Sequence, residues 1–264
     1  ITDLVTAQRS TAWADIARRI AHEIKNPLTP IQLSAERIRR RFGKVIVEDR
    51  EIFDQCTDTI IRQVGDIGRM VDEFSAFARM PKPVPAILDI RLPLKEAAFL
   101  IDVSRPDIKI EKELGSEPLL GMFDSRMIGQ AFGNLIKNAT EAIDGREADL
   151  AVTPGHVLVR AGLSGNLIVV DVIDNGKGLP RENRQRLLEP YMTTRDKGTG
   201  LGLAIVRKIV EEHGGSLSLH DAPAEFHGGV GADIRVTFPL SAIETAQSAS
   251  ADGFELEKVI KHGV

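Results

Sequence analysis

AHEIKNPLTPIQ, residues 21–32, is the stretch on which the reading of this chain turns. It lies within a run where Ile16, Ile20, Ile24, Leu28, Ile31, Ala35 and Ile38 recur at three- and four-residue steps, which predicts a long amphipathic helix over about residues 6–42. Inside that helix His22 and Glu23 stand side by side, and Pro27 and Pro30 follow in the next turn. A purely structural helix gains nothing from such prolines. Pro27 cannot donate to the carbonyl of Glu23, nor Pro30 to that of Asn26, so the helix is expected to bend or loosen just past His22. A neutral imidazole is nucleophilic near pH 7 once a carboxylate manages the proton on its second nitrogen. Neighbours at i and i+1 do not face each other, so Glu23 has to reach around the ring, whereas Asn26, at i+4, shares the face of His22 and could orient a water there. A lone histidine before a proline kink is more often structural, so the rest of the chain has to decide.

A second helix follows a short break at Phe42-Gly43, with Cys56, Ile60, Val64, Ile67, Val71, Phe74 and Ala78 alternating steps of four and three. Two long helices with a short connection make an antiparallel hairpin. That much apolar stripe cannot be covered by the hairpin itself, so pairing with a second copy into a four-helix bundle is expected. The prolines of Met80-Pro-Lys-Pro-Val-Pro85 end the second helix in an extended, semi-rigid linker. Strand candidates then appear at residues 108–113, 119–123, 156–161, 167–173, 216–220 and 232–238, with helices near 92–103, 125–144 and 201–213. Because the strands come in adjacent pairs, an α+β layer with helices on one face of a mixed sheet is preferred over strict βαβ alternation. The expected division is 1–80 for the hairpin, 81–86 for the linker, 87–241 for the α/β two-layer sandwich and 242–264 for a small, polar C-terminal tail.

Composition sets the outer bounds. The 264 residues are 42% hydrophobic, enough for one or two globular domains, and 34 basic against 38 acidic residues leave a formal charge of −4. That balance gives no support for nucleic acid or an anionic membrane as the main partner. The local cluster Arg37, Arg39, Arg40 and Arg41 reads as a solvated helix face, or more sharply as a docking surface for an acidic partner. The single cysteine, Cys56, excludes an intramolecular disulfide framework, fits a reducing cytosol and is expected in a core. No run has the roughly eighteen apolar residues a membrane span needs, and the N-terminus lacks the order of a signal peptide. The chain is therefore expected to be soluble as given, a cytosolic portion of a longer protein with room for an inner-membrane anchor upstream.

Glycine is concentrated in the second half. Asp174-Asn-Gly-Lys-Gly178 follows the apolar strand LIVVDVI, and Lys197-Gly-Thr-Gly-Leu-Gly202 precedes the helix LAIVRKIVEEHGG. Glycines before a helix let backbone N–H groups close on a phosphate while the helix dipole assists. Taken alone, each loop is equally well a turn. Neither matches GxxxxGK[ST], nor a strand–GxGxxG–helix with a later acid, which disfavours P-loop and Rossmann readings. In QAFGNLIKNATEAI, Asn134 and Asn138 share a helical face with Lys137 beside them. Side-chain carbonyls with phosphate oxygens suit Mg²⁺, while the bland account makes both asparagines exposed polar residues.

The order HEIKNPLTP, NLIKNATEA, DNGKGLP, EPYMTT, KGTGLGLAIV resembles the H, N, G1, F and G2 boxes of two-component sensor histidine kinases. Several independent boxes in order are far more specific than any one, and the resemblance runs from about residue 12 to 240. Within the family, the wording is most similar to the NtrY-type nitrogen-regulation sensors. The resemblance implies a dimeric phosphoacceptor hairpin joined to an ATP-binding domain of the histidine-kinase/GHKL type. It implies that His22 accepts the γ-phosphoryl group of ATP, that Glu23 assists as base, and that Asn26 serves dephosphorylation of the partner regulator. It further implies Asn138 as the Mg²⁺ ligand, with Asn134, Lys137 and Lys197 near the phosphates and Asp174 on the adenine amino group. Gly176 and Gly178 would let the backbone approach the base, and Gly198, Thr199, Gly200, Leu201 and Gly202 would form the lid. Tyr191 stands where the family usually has Phe. Ala232-Asp233 replaces a frequent Ser/Thr pair, which puts any adenine contact from that strand in question. The implied partners are a second copy of the chain and the receiver domain of a response regulator, NtrX-like. Two alternatives remain: a phosphatase-dominant or inactive scaffold of the same fold, and an ATPase or chaperone of the same nucleotide-binding superfamily.

Overall fold

The computed structural model describes residues 2–78, 80–146, 153–192 and 199–240. It divides into two compact units, Ile1–Lys82 with Glu189–Leu201, and Pro83–Leu188 with Gly202–Val264. The unit boundary in the glycine-rich stretch falls between Leu201 and Gly202. The expected C-terminal tail lies outside the described residues.

The first unit is built on α1 (Thr2–Phe42) and α2 (Arg50–Ala78). Both prolines stand inside α1 without ending it. Three arginines in its last turn favour the negative end of the helix dipole, and the amide of Phe53 takes the carbonyl of Asp49 to open α2. The helices run antiparallel, as the ion pairs Lys25–Asp72 and Arg39–Asp58 fix. Among the described residues, the side chains buried in the hairpin are small or slender: Ala21 and Ala35 from α1, and Thr57, Val64, Val71 and Ser75 from α2. Ile20, Ile24, Ile31, Ile38, Ile60 and Ile67 stay exposed, so one hairpin leaves most of its large apolar positions uncovered. Cys56 is exposed, contrary to the expected core position. The reason is rotational: the residue that faces α1 at this level is Thr57, which puts Cys56 on the uncovered stripe with Ile60. The arginine cluster is exposed as well, with Arg39 bonded to Asp58.

The second unit comprises β1 (Ala86–Asp89), α3 (Arg91–Ser104), β2 (Ile108–Glu113), β3 (Leu120–Phe123), α4 (Ser125–Asp144), β4 (Gly155–Ser164), β5 (Leu167–Asp174), α5 (Gly202–Glu212), β6 (Ser216–Asp221) and β7 (Ala232–Pro239). The main sheet has the order β2-β4-β5-β7-β6, parallel between β2 and β4 and antiparallel elsewhere, while β1 and β3 form a separate antiparallel pair. Strand periodicity shows in the register: Val157, Val159, Ile168, Val170, Val172, Val236 and Phe238 share one fully buried face. Helices α3, α4 and α5 pack in that order and cover it. The opposite face carries a ladder of charge, Glu113–Arg160 and Asp171–Arg235, beside a small apolar cluster of Leu158, Ile173, Ala222 and Phe226.

Asp124 is the N-cap of α4. Its carboxylate accepts from the amides of Met127 at 3.1 Å and Val84 at 3.0 Å, so it also pins the end of the proline-rich segment to this unit. Chiefly the Val84 amide holds its carboxyl below the usual carboxylate range, against the opposing effect of burial. The strand β1 at residues 86–89 was not legible in the sequence. Its two central residues, Ile87 and Leu88, are half-exposed or exposed, so no alternation announces it.

Candidate functional site

β5 carries its apolar residues up to Asp174, which is buried, and then turns. The turn is held by the strand itself: Asp174 Oδ1 accepts from the Gly176 amide at 2.8 Å, and the side chain of Asn175 bonds the His156 amide and the Pro154 carbonyl at 2.8 and 2.9 Å. Lys177 then donates its amide to the carbonyl of Ala142 in α4 at 3.1 Å. Gly176 has to be glycine because a Cβ would stand 2.6 Å from the Ala142 carbonyl carbon. Gly231 is more constrained still. At φ +116° its Cβ would stand 1.8 Å from the Asp174 carbonyl oxygen. Gly178 backs onto the Gly231 carbonyl, and Lys177, Gly178, Leu179, Arg181, Arg184, Asp221, Val230 and Gly231 line a cavity of about 550 Å³.

α4 presents Asn134 and Asn138 as half-buried residues at the edge of its apolar face, with Lys137 exposed and paired to Glu141. Gly202, the first residue of α5, lies against the carboxamide of Asn138, and a Cβ there would stand 3.5 Å from Nδ2. A hard oxygen donor thus stands beside the positive end of a helix, an arrangement suited to a phosphate group and its cation. The α/β unit therefore brings together Asn138, Asp174, Gly176, Gly178 and Gly202, with Asn134 one turn earlier on α4. Arg181 and Arg184 at the cavity rim were missed by sequence reasoning; their signal was the basic composition of residues 181–186.

In the first unit, His22, Glu23 and Asn26 are all exposed on α1. The segment grouped with the helices holds Tyr191, Thr199, Gly200 and Leu201. Tyr191 and Gly200, at φ +67° and +69°, are joined by the Tyr191 amide on the Gly200 carbonyl at 3.1 Å. The Tyr191 ring stands 6.2 Å from that of Phe74, and the Thr199 hydroxyl donates to Glu73. Leu201 is fully buried, so its side chain is packing, and its amide is directed at Thr199 Oγ1 at 3.4 Å. Lys197 and Gly198 lie outside the described residues.

Residues 12–83 match the His Kinase A (phospho-acceptor) domain, and residues 123–242 match the family described as histidine kinase-, DNA gyrase B-, and HSP90-like ATPase. The two in this order define a sensor histidine kinase, and the chain belongs to that family, in its NtrY type. It is 59% identical over 237 residues to the nitrogen regulation protein NtrY of Azorhizobium caulinodans, a match covering 90% of this chain and 30% of that protein. It is 31% identical over 222 residues to the sensory histidine kinase/phosphatase NtrB of Rhodobacter capsulatus, covering 79% of this chain and 58% of that one. The histidine kinase ThkA, solved in complex with the response regulator protein TrrA, shares the fold with a TM-score of 0.61 at 22% identity, over 89% of this chain and 64% of that one. The chain thus spans 30% of the length of that NtrY and 58% of that NtrB.

Proposed function

We propose that this chain is the phosphoacceptor and ATP-binding core of a sensor kinase that phosphorylates itself on His22 and passes the phosphoryl group to an aspartate of a response regulator. The observation that carries the nucleotide half is the Asn138 carboxamide against the first residue of α5, one helical turn before Ala142, whose carbonyl accepts the Lys177 amide of the glycine loop after the buried Asp174. The acceptor half rests on an exposed imidazole with a carboxylate next to it in α1.

An imidazole nitrogen of His22 attacks the γ-phosphorus of ATP, the bond to the β–γ bridging oxygen breaks, and ADP leaves with the electron pair. The proton on the other imidazole nitrogen passes to Glu23. Little covalent help is needed beyond holding the phosphates in line, which the α5 N-terminus and the nearby Lys137 assist. Asn138 would hold Mg²⁺, and the ion, when bound, supplies neutralisation of phosphate charge. Asp174 accepts from the adenine amino group, and the glycine at 176 leaves room for the base. Asn26, one turn from His22, orients a water that attacks the regulator's aspartyl phosphate and releases inorganic phosphate, the opposing, dephosphorylating activity.

The partner is a receiver domain, NtrX-like by the similarity to NtrY, and the exposed stripe of the hairpin is covered by a second copy. Among the described residues no helix is long and apolar enough to cross a membrane. We place this portion on the cytoplasmic side of a protein anchored in the inner membrane.

The test is incubation of the chain with Mg²⁺ and γ-labelled ATP beside a His22→Gln variant. Acid-labile, alkali-stable label on the parent alone is expected. Nucleotide binding with no such label would sink the kinase reading and leave a regulator-binding scaffold.

A further inference from the structure

On the sheet face opposite the helices, two imidazoles that the kinase chemistry does not use are brought together. His156 of β4 places Nδ1 2.9 Å from Nε2 of His227, which lies in the turn His227–Gly229 ahead of β7. The other nitrogen of His156, Nε2, is 3.0 Å from Oε2 of Glu111 on the neighbouring strand β2, and Lys109 pairs with the same carboxylate. Phe226 backs both rings, with centroids 4.9 Å from His156 and 4.8 Å from His227. The turn that delivers His227 is unusual. His227 itself has φ +47°, followed by Gly228 and Gly229 at +71° and +80°, and a left-handed backbone at a residue with a side chain persists where its surroundings hold it.

In the absence of an ion the two nitrogens share one proton as a hydrogen bond. The same spacing admits a second arrangement. Two imidazole nitrogens bound to one metal at the usual 2.0–2.1 Å stand about 3 Å apart at angles between a right angle and a tetrahedral one. Glu111 accepts the proton on His156 Nε2, which leaves Nδ1 with its lone pair toward His227, and a carboxylate behind a ligating histidine is the common supporting contact.

We propose that His156 Nδ1 and His227 Nε2 form a binding site for a late first-row divalent metal ion, Zn²⁺ being the probe of choice, with Glu111 orienting His156. Among the described residues no group of three or more His, Cys, Asp or Glu converges as a metal cage, so water completes the coordination and the ion exchanges freely. Imidazole donors select Zn²⁺, Cu²⁺ or Ni²⁺ over Mg²⁺, which separates this site from the oxygen-donor site at Asn138. A bound ion would staple the turn at His227 to β4. Val230 and Gly231, which follow that turn, line the cavity beside Gly178.

Isothermal titration of Zn²⁺ into the chelator-stripped, nucleotide-free chain tests this, with the parent, His227→Asn and Glu111→Gln compared. Asn tolerates the left-handed backbone, so His227→Asn removes the ligand and keeps the turn. The parent is expected to show one binding event that His227→Asn lacks and that Glu111→Gln weakens roughly 10–100-fold. Hydrogen exchange over residues 226–230 slows with Zn²⁺ in the parent alone. Should His227→Asn lose the fold by circular dichroism, His156→Gln is the second variant, with the same loss expected. No Zn²⁺ uptake by the parent overturns the proposal. Uptake of equal stoichiometry and affinity in parent and His227→Asn overturns it too, assigning the ion to other histidines such as His22.

Discussion

The helical hairpin and the α/β unit put their apolar residues to opposite uses. In the hairpin the large side chains look outward, with Ile60 44% and Ile67 40% exposed, and the contact between the helices is made by Ala21, Ala35, Val64 and Val71. In the α/β unit Phe123, Phe132 and Phe238 are at most 2% exposed. One pattern is closed within the chain, and the other leaves a stripe that the proposed second copy would cover. Truncation at matched positions should therefore report on different equilibria. Phe132→Ala is expected to cost about 3–5 kcal/mol, as removal of a buried aromatic ring does, in a melting transition of the α/β unit independent of protein concentration. Ile60→Ala should barely move that transition but weaken the proposed homodimer at least tenfold, read by sedimentation. A dimer unchanged by Ile60→Ala would break the comparison.

Two carboxylates of the α/β unit, the half-buried Asp89 and the buried Asp233, extend the contrast to charge. Burial alone would raise the pKa of Asp89, but the Arg91 guanidinium and the amides of Arg91 and Leu119 outweigh it and hold the carboxyl below its usual range. Arg91 meanwhile bonds the carbonyls of Gly115 and Ser116 at 3.1 and 2.9 Å. Breaking such a pair leaves an uncompensated charge, so Arg91→Met should destabilise by about 3 kcal/mol or more near neutral pH. Because the folded pKa of Asp89 lies below its unfolded value, its contribution is present above about pH 4 and is lost as pH falls through the depressed folded value. The loss in the variant should thus shrink in acid, measured as the difference in denaturation midpoint.

Asp233 has the opposite sign. It is 6% exposed, with Oδ1 lacking any hydrogen-bond partner, and burial with the neighbouring Asp171 pushes its pKa up to about 6 despite Arg235 and Arg160. The folded state then holds its proton more tightly than the unfolded state, so stability falls as pH rises from about 4 to 6. Asp233→Asn should be more stable than the parent by on the order of 2–3 kcal/mol above pH 6, with the gap closing below pH 4. Equal stability at all pH values would show that Asp233 is not held protonated by its surroundings.

The sequence carried the regular elements well because both units obey periodicity. The limits 108–113 of β2 and 125–144 of α4 were read directly, and α4 even announces its start with Asp124. Asn138, Asp174 and Gly176, singled out from the sequence as candidates, do fold to one edge of the α/β unit, and the glycine was legible because close backbone approach to α4 demands it. What escaped were contacts between strands distant in sequence. Gly231 against Asp174, the unpartnered Oδ1 of Asp233 and the His156–His227 pair all arise where β7 and its preceding turn meet β4 and β5, and no local pattern encodes that register. The edge strand β1 escaped for a different reason, since a half-exposed pairing of four residues has no alternation to read.

Cys56 yields the smallest effect and the finest cut on the comparison. A core cysteine was the natural expectation from its place in the heptad series, but Thr57 turns inward and leaves Cys56 exposed on the stripe that also holds Ile60 and Ile67. In a lone hairpin Cys56→Ser is a surface exchange, expected within about 0.5 kcal/mol of the parent. If a second copy covers the stripe, the thiol becomes shielded in the dimer alone. Its rate of reaction with a thiol reagent should then rise on dilution, following the dissociation curve that Ile60→Ala shifts. A rate independent of concentration would mean that the outward stripe stays open, and the hairpin would need a different cover from the one proposed.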